Sequence, residues 1–212
     1  MLAFASTSLA QGRVEISGWG GYTFSEGINV DPNSVAGILV REVNPTSGLS
    51  YGVSFNVAVD DDGAMMIGFL IDQQESNLEL KGAGGGIGKT SVADMKVRNY
   101  HAIFTYNFGD YRDPVRPYIL GGLGATQYSP GDVMGFAIDG NTKFSSTWGG
   151  GVKFFANDHV GINVGARWTP TYIKSDPAGV WCSPYWPGGC WQLSDPDYSN
   201  QLEFTGGITL RF

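Results

Sequence analysis

The sequence predicts an all-β fold, an eight-stranded antiparallel up-and-down β-barrel that spans a membrane, with long loops at one end and short turns at the other. Eight segments alternate apolar and polar side chains with a two-residue period, which places the two kinds on opposite faces of a strand. The connections between these segments alternate in length, at roughly 23, 5, 22, 7, 15, 4 and 30 residues. Glycine is abundant at 32 residues, whereas charged residues make up only 16% of the chain. This composition is typical of a wall with one lipid-facing and one lumen-facing side.

Length and composition exclude several classes of protein. The 212 residues suggest one domain, or at most two. No apolar run reaches the roughly 18 residues that a membrane-spanning helix needs, and the mean hydropathy is -0.09. The formal net charge is -7 and there is no basic stripe, so nucleic acid is not an expected partner, because phosphates are bound by clustered Lys and Arg.

The first ten residues predict the remaining tail of a secretory signal. Ser8-Leu9-Ala10 before Gln11 is a plausible small-residue cleavage site, although the usual basic region before it is missing. We therefore expect residues 1–10 to be the tail of a longer signal and residues 11–212 to form the barrel domain. The alternative is an unstructured cytosolic N-terminus.

The first four predicted strands come before the middle of the chain, at residues 13–25, 49–59, 65–74 and 97–108. The second strand alternates most cleanly, with apolar residues at every odd position from Leu49 to Val59 and small or polar residues between them. Asp60 to Gly63 predicts a tight turn after it. The segment 26–48 contains the apolar stretch 38–40 and is expected to be a loop with a hairpin above the membrane. Ile103 breaks the alternation of the fourth strand.

The last four predicted strands are at residues 116–128, 144–155, 160–169 and 200–212. The strand at 116–128 is too rich in glycine for its faces to be assigned. In the closing strand the apolar residues take even positions and the polar residues odd positions, and about 13 residues exceed the roughly 9 to 11 that a tilted strand needs to cross a bilayer. An ordinary sandwich edge strand is the alternative for this segment alone.

Aromatic residues support the assignment of a lipid-facing exterior. Three predicted strands end on outward Phe108, Phe154 and Phe212 at the turn end. A second group falls at the loop end, at Tyr22, Phe24, Tyr51, Tyr100, Phe144 and Trp168. Two such belts are expected at the two membrane–water interfaces. A soluble lipocalin-type barrel would place apolar side chains inward instead. Here the inward set includes five charged residues, Glu15, Lys153, Arg167, Glu203 and Arg211.

The chain resembles the small eight-stranded outer-membrane β-barrel family, in particular OmpA-transmembrane-domain-like and OmpX-like proteins. The resemblance covers nearly all of the mature chain and is carried by residues 200–212, Arg116–Ala125 and Trp148–Phe154. It implies a bacterial outer-membrane location with periplasmic termini, outer-membrane lipid or lipopolysaccharide as surroundings, and no cofactor. It also implies that the closing strand is the signal that the barrel-assembly machinery recognises, at Phe204, Ile208, Leu210 and Phe212.

The inward charges predict a filled lumen. The interior of eight strands is just wide enough for side chains to fill, and buried charges must be paired. We expect Arg167 to pair with Glu203 near the loop end and Glu15 to pair with Arg211 near the turn end. The lumen would then be plugged rather than conducting, and a narrow porin-like channel is the alternative.

The longest loop contains both cysteines of the chain. In an exported protein the close spacing of Cys182 and Cys190 predicts one disulfide. Four large aromatic residues surround the pair, at Trp181, Tyr185, Trp186 and Trp191. Rigid Trp and Tyr side chains are effective contact anchors, which favours recognition of an unidentified extracellular ligand. The alternative is a self-packed cap over the barrel mouth or a contact with lipopolysaccharide sugars.

No pattern in the chain predicts catalysis, cofactor binding or a metal site. Ala83–Thr90 fits a relaxed phosphate-loop pattern, but a strand follows it instead of a helix. Some barrels of the resembled family modify lipid A with a His and a Ser, which would require a contact between His101 and a nucleophile such as Ser145. We expect a non-enzymatic protein that stabilises the envelope or interacts at the cell surface. A lipid A-modifying enzyme and a narrow channel are the alternatives.

Overall fold

The computed structural model describes residues 13–26, 28–35, 38–82, 90–131, 140–173 and 198–212. Within these ranges the chain forms β-strands, which are β1 Val14–Ser25, β2 Ile28–Val35, β3 Ile38–Pro45, β4 Gly48–Ala58, β5 Met65–Gly82, β6 Thr90–Asn107, β7 Val115–Pro130, β8 Asn141–Phe155, β9 Val160–Tyr172 and β10 Tyr198–Arg211. None of the described residues belongs to a helix that is long and apolar enough to cross a membrane.

Eight of the strands close into one antiparallel barrel, in the order β1, β4, β5, β6, β7, β8, β9, β10 and back to β1. The first and last strands pair from Glu15 opposite Arg211 to Ser25 opposite Gln201. Two backbone bonds complete this seam, since Val14 N donates to Phe212 O at 3.2 Å and Phe212 N donates to Val14 O at 2.9 Å. The predicted eight-stranded closed barrel is therefore confirmed, and closure leaves these strands without a free edge.

The remaining strands, β2 and β3, form a hairpin that prolongs the wall at the loop end. β3 pairs with the upper part of β5 and leads through Thr46 and Ser47 into β4. Thr46 N donates to Asn77 O at 2.9 Å across this junction, so β3 and β4 both stay paired with β5. The hairpin expected within residues 26–48 is thus present.

Two strands extend well beyond their predicted bounds. β5 and β6 were predicted at 65–74 and 97–108, but they pair as far as Leu80 opposite Thr90. The apolar residues of β6 change face within this extension. Met95 and Val97 point inward and are buried, whereas the apolar residues nearer the turn end, such as Phe104, point outward. The apolar residues thus move from the even to the odd positions of β6, which interrupts the alternating pattern, although the backbone pairing with β5 continues.

The barrel exterior is apolar and the lumen polar over most of the wall. The outward large apolar side chains have exposed fractions between 37% and 68%, among them Ile16, Phe55, Ile67, Ile162 and Ile208. The glycine-rich strand predicted at 116–128 is β7, and the structure assigns its faces. Val115, Ile119 and Leu123 point outward, whereas Arg116 and Thr126 point inward. The broken alternation at Ile103 is also explained, because this side chain is buried on the lumen side.

Candidate functional site

The lumen contains an ion cluster toward the loop end. Arg167 Nη2 lies 2.6 Å from Asp72 Oδ2 and also contacts Glu203 Oε2. Asn99 Nδ2 donates to the other oxygen of Asp72 at 2.8 Å, and the guanidinium of Arg167 lies 5.5 Å from the ring of Trp19. The sequence pattern placed Arg167 beside Glu203 but missed the second carboxylate. Asp72 occupies an inward even position of β5, so the alternation could have identified it.

A second ion cluster lies toward the turn end. Glu15 contacts Lys153 Nζ through one oxygen and lies 3.4 Å from Arg116 Nη1 through the other. Lys153 also donates to Asn107 Oδ1 at 2.8 Å, and Arg116 Nη2 donates to Gly63 O at 2.9 Å. Arg116 was missed because the faces of its glycine-rich strand could not be assigned from the pattern.

The expected pair of Glu15 and Arg211 is replaced by other contacts. The two residues are opposite each other in the β1–β10 register. Arg211 Nε nevertheless donates to Asp158 O at 2.7 Å, Nη1 donates to Tyr111 O, and the guanidinium lies 3.8 Å from the ring of Phe155. Its long side chain reaches the carbonyls of the turns, because it stands at the end of its strand. Glu15 therefore takes its cations from the facing wall.

The buried charges of the two clusters balance. They comprise three carboxylates and three cations, namely Glu15, Asp72 and Glu203 with Arg116, Lys153 and Arg167. The loop-side cluster has one carboxylate in excess and the turn-side cluster has one cation in excess. The two clusters lie at different heights in the barrel. Lys153 of the turn-side cluster is opposite Asn163, which precedes Arg167 of the loop-side cluster by four residues on β9, so about 13 Å of strand separates the two clusters.

A small cavity of about 60 Å³ lies between the clusters. Its lining includes Lys153 and Arg167 from the two clusters, together with Trp19, Tyr118 and Asn163. A water molecule needs roughly 10 to 15 Å³ of such volume, so the cavity has room for a few waters. The six cluster side chains are at most 7% exposed, which means that bulk water does not reach them.

Apolar side chains cover the loop-side cluster. Met95, Val97, Tyr128 and Ile173 point into the barrel mouth and are at most 1% exposed. We call this group the collar. It lies directly on the loop side of the ion cluster, since Val97 and Asn99 are successive inward residues of β6 and Asn99 contacts Asp72. The collar was not expected from the sequence, because the apolar period that identified the strands belongs to the outward face.

His101 and Ser145 are in direct contact inside the lumen. His101 Nε2 lies 2.9 Å from Ser145 Oγ, and Thr126 Oγ1 lies 2.9 Å from the same hydroxyl. This distance suits a base and a nucleophile. However, His101 Nδ1 has no hydrogen-bond partner among the described residues, so no carboxylate orients the ring. The two residues are 1% and 0% exposed, so neither side chain is accessible in the part of the chain that the structure describes. The described residues contain no group of side chains suited to a metal ion.

The C-terminal residues implied as an assembly signal point outward along one face of β10. Phe204, Ile208, Leu210 and Phe212 all expose their side chains, and Phe212 is 66% exposed. Several other predictions lie outside the described residues: the disulfide of Cys182 and Cys190, the aromatic group Trp181, Tyr185, Trp186 and Trp191, the tail 1–10, and residues 83–89 of the segment that fits a relaxed phosphate-loop pattern.

Comparison with known proteins identifies the fold. Neither a protein-family model nor a curated protein sequence matches the chain. The outer membrane protein OprG from Pseudomonas aeruginosa is similar in structure, with a TM-score of 0.61 at 15% identity over 95% of this chain and 96% of that one. The outer membrane protein AlkL matches with a TM-score of 0.56 at 13% identity over 100% and 95%. Neisserial surface protein A matches with a TM-score of 0.52 at 17% identity over 95% and 97%. The chain therefore has the fold of the small eight-stranded outer-membrane β-barrels.

Proposed function

We propose that the protein is a non-enzymatic β-barrel of the bacterial outer membrane with a plugged lumen, and that it stabilises the envelope or interacts at the cell surface. The observation that carries this proposal is the pair of buried, charge-balanced ion clusters across the lumen. A conducting bore would leave lumen side chains in contact with water. Removing one partner of a buried ion pair costs about 3 to 5 kcal/mol, so the clusters do not open readily.

The barrel exterior supports a location in the membrane. Soluble monomers rarely expose continuous apolar patches beyond a few hundred Å², whereas here the apolar residues surround the barrel. A closed barrel also meets the requirement that no backbone group is left unpaired in lipid. The fold shared with OprG and AlkL, both outer membrane proteins, supports the outer membrane in particular. In this orientation the short turns and both termini would be periplasmic, as the resemblance implies.

Single-channel recording tests the plug. The wild-type protein would be refolded in detergent, inserted into a planar bilayer and recorded, with heat-modifiable gel migration as the check that the barrel is folded. We expect no steady open level, because both ion clusters and the collar lie across the lumen. A large, steady conductance from correctly folded protein would contradict the plug and favour the porin-like channel.

One contact favours a second candidate function, a lipid-modifying enzyme. His101 and Ser145 are close enough for proton transfer, at 2.9 Å. Against this function stand the burial of both residues and the unpartnered Nδ1 atom. Lipid A from deletion cells, from cells with the wild type and from cells with Ser145→Ala would be compared by mass spectrometry. The non-enzymatic proposal requires identical acyl chains in all three, and a change that depends on Ser145 would refute it.

The surface role is proposed to reside in the longest loop. A disulfide between Cys182 and Cys190 would limit the freedom of the loop and hold Trp181, Tyr185 and nearby aromatic residues in place. Replacing both cysteines with serine tests this role. Loss of ligand binding with an intact barrel would support recognition, whereas a lower thermal stability with unchanged binding would support the self-packed cap.

A further inference from the structure

A groove of about 1280 Å³ runs over the outer face of β5, β6 and β7. Its floor is made where the outward side chains become small, at Ala102 and Gly121. Phe69, Phe104 and Trp148 rise around this floor, and the Trp148 ring lies against Gly121, where an added Cβ would come within 3.0 Å of it. The rest of the lining is also apolar. The groove is therefore a depression in the apolar exterior with walls of large side chains.

A row of polar side chains crosses the same strands above the groove. Successive register pairs join Tyr51, Gln73, Arg98, Gln127 and Thr142 across β4 to β8. All five side chains point outward, by the alternation of each strand. The row contains no acidic residue. It follows directly after the rim residue Tyr100, at the level where the exterior changes from apolar to polar.

The guanidinium in this row is held in one orientation. Arg98 Nε donates to Gln73 Oε1 at 2.7 Å, and Gln73 Nε2 donates to Tyr51 OH at 2.7 Å. The two Nη groups of Arg98 have no hydrogen bond to a described residue. A fixed guanidinium with a free fork is suited to a phosphate, which it binds through two parallel hydrogen bonds. Lys96, the next outward residue of β6, adds a second positive charge, although Glu75 stands opposite it.

The groove and the polar row lie on one strand. Ala102 in the floor and Arg98 in the row are four residues apart on β6, which corresponds to about 13 Å. An apolar groove in the hydrocarbon zone with a phosphate-binding group at its upper end matches the layout of a membrane lipid. The groove opens outward, so in the proposed membrane location the acyl chains of the surrounding lipids lie next to it.

We propose that this face binds one phosphorylated glycolipid of the lipid A type from the loop-side leaflet, with an acyl chain in the groove and a phosphate on Arg98. The proposal rests on the membrane location in the proposed function. The neutral amides and hydroxyls of Gln73, Gln127 and Thr142 flank the guanidinium and are suited to sugar hydroxyls. A second copy of the barrel fits less well, because two concave surfaces related by a twofold axis would enclose a void.

Native mass spectrometry tests the site with defined lipids. The full chain, refolded in detergent, would be titrated with hexa-acyl lipid A, with the same lipid lacking its phosphates, and with phosphatidylglycerol. We expect one lipid A molecule to be retained, with at least about 10-fold lower apparent affinity for the other two lipids. Arg98→Gln should weaken lipid A binding about 10-fold or more, because it removes a charge-assisted contact. Ala102→Phe, which fills the groove, should weaken all acylated lipids.

Two control variants match these changes at other places. Arg112→Gln removes an exposed arginine at the turn end that has no hydrogen bond or ion pair to a described residue. Gly206→Phe adds the same bulk to the lipid face of β10, on the wall opposite β6, where an added Cβ meets nothing within 4 Å. Both controls should bind lipid A like the wild type. If Arg98→Gln does not fold, Arg98→Lys, which keeps the charge but loses the fork, should show a smaller loss.

The outcomes separate this inference from the proposed function. If the folded barrel binds lipid A equally with and without Arg98, the site is overturned and the membrane barrel stands. Equal binding of lipid A and phosphatidylglycerol by the wild type would overturn the preference for a phosphorylated sugar. If the controls weaken binding as much as the variants, the lipid is only part of the general annulus. Failure of the wild type to enter bilayers would overturn the proposed function, and the lipid site with it.

Discussion

The barrel has two zones that differ in which face is apolar, the outer face in one zone and the inner face in the other. In the zone nearer the turns, outward side chains such as Phe104 are apolar and inward side chains such as Arg167 are charged. In the zone of the collar, the inward side chains Met95 and Val97 are apolar and the outward Lys96 is charged. Both zones belong to the same strands. We attribute this difference to the proposed surroundings of the barrel, which would be lipid around the first zone and water around the second.

The exchange takes place within a few residues of β6. Tyr100 is the last aromatic residue on the outer face, and Arg98 is the first charged one. On the inner face the change runs from Asn99 to Val97 over the same step. A lipid-facing wall requires an apolar outside and permits a polar inside, whereas a water-facing wall requires the reverse. The upper edge of the proposed membrane zone can therefore be placed between Tyr100 and Arg98.

The largest expected effect is loss of the shared cation in the loop-side cluster. Arg167→Met leaves Asp72 and Glu203 buried without their partner, and we expect a loss of about 3 to 5 kcal/mol in the free energy of unfolding. Urea unfolding of the barrel in lipid vesicles measures it. Arg112→Met at the exposed turn is the control and should change stability by less than about 0.5 kcal/mol. A stable Arg167→Met variant would mean that the polar lumen does not depend on charge pairing.

A charge on the outer face should separate the zones directly. Ile67→Arg places a cation on the outer face of β5, within the proposed membrane zone, and should cost about 2 to 4 kcal/mol. Glu75→Arg lies on the same face of the same strand, eight residues closer to the loop end, and should cost about 1 kcal/mol or less, because the exposed arginine is only opposed by Lys96. The two unfolding free energies would be compared in the same vesicles. Equal costs would contradict the boundary between Tyr100 and Arg98.

The collar can be tested by a smaller deletion. Val97→Ala removes two methyl groups from a buried position, and we expect a loss of about 1 to 2 kcal/mol. In bilayer recordings the variant should stay closed, because both ion clusters remain below the collar. A steady conductance in Val97→Ala would instead assign the seal to the collar. The matched outward change, Val53→Ala, should have a smaller effect on stability because that side chain is largely exposed.

The smallest expected effect on folding concerns the last residue. Phe212→Ala keeps the backbone bonds to Val14 and removes only an exposed ring. We expect folding in detergent to be nearly unchanged and insertion in cells to be reduced, because the ring is proposed to be part of the signal that the assembly machinery recognises. The measurements are refolding yield and the folded fraction in cell envelopes. Equal loss in both would mean that the ring acts through packing alone.

Most of the fold could be predicted from the sequence, because a barrel with an apolar outer face and a polar lumen alternates strictly along each strand. The number of barrel strands, their order and most of their faces follow from it, as the outward positions of Phe55 and Ile208 illustrate. The pattern failed where that constraint ends. It stopped at Val97 although β6 begins at Thr90, because the outward residues there, such as Lys96 and Arg98, are no longer apolar. It also gave no faces for β7, which has glycine on both sides.

The ion pairs in the lumen could be predicted only in part from the sequence. Alternation identifies which charges point inward, but not which partner each one takes across the barrel. Arg167 contacts both Glu203 on the neighbouring strand and Asp72 on a distant one. Glu15 is opposite Arg211 in the ladder but is paired across the lumen. Side-chain length and the shear of the barrel decide these contacts, and neither is encoded in a two-residue period.

The bonds between Val14 and Phe212 also constrain the order of folding. These residues are at the two ends of the described chain, so the seam cannot form until β10 has been synthesised. A shortened chain would keep both edges of its sheet unpaired, and such edges are prone to aggregation. Closure between β1 and β10 therefore requires that all eight barrel strands are present. An interrupted translation product would remain an open sheet that chaperones and proteases can recognise.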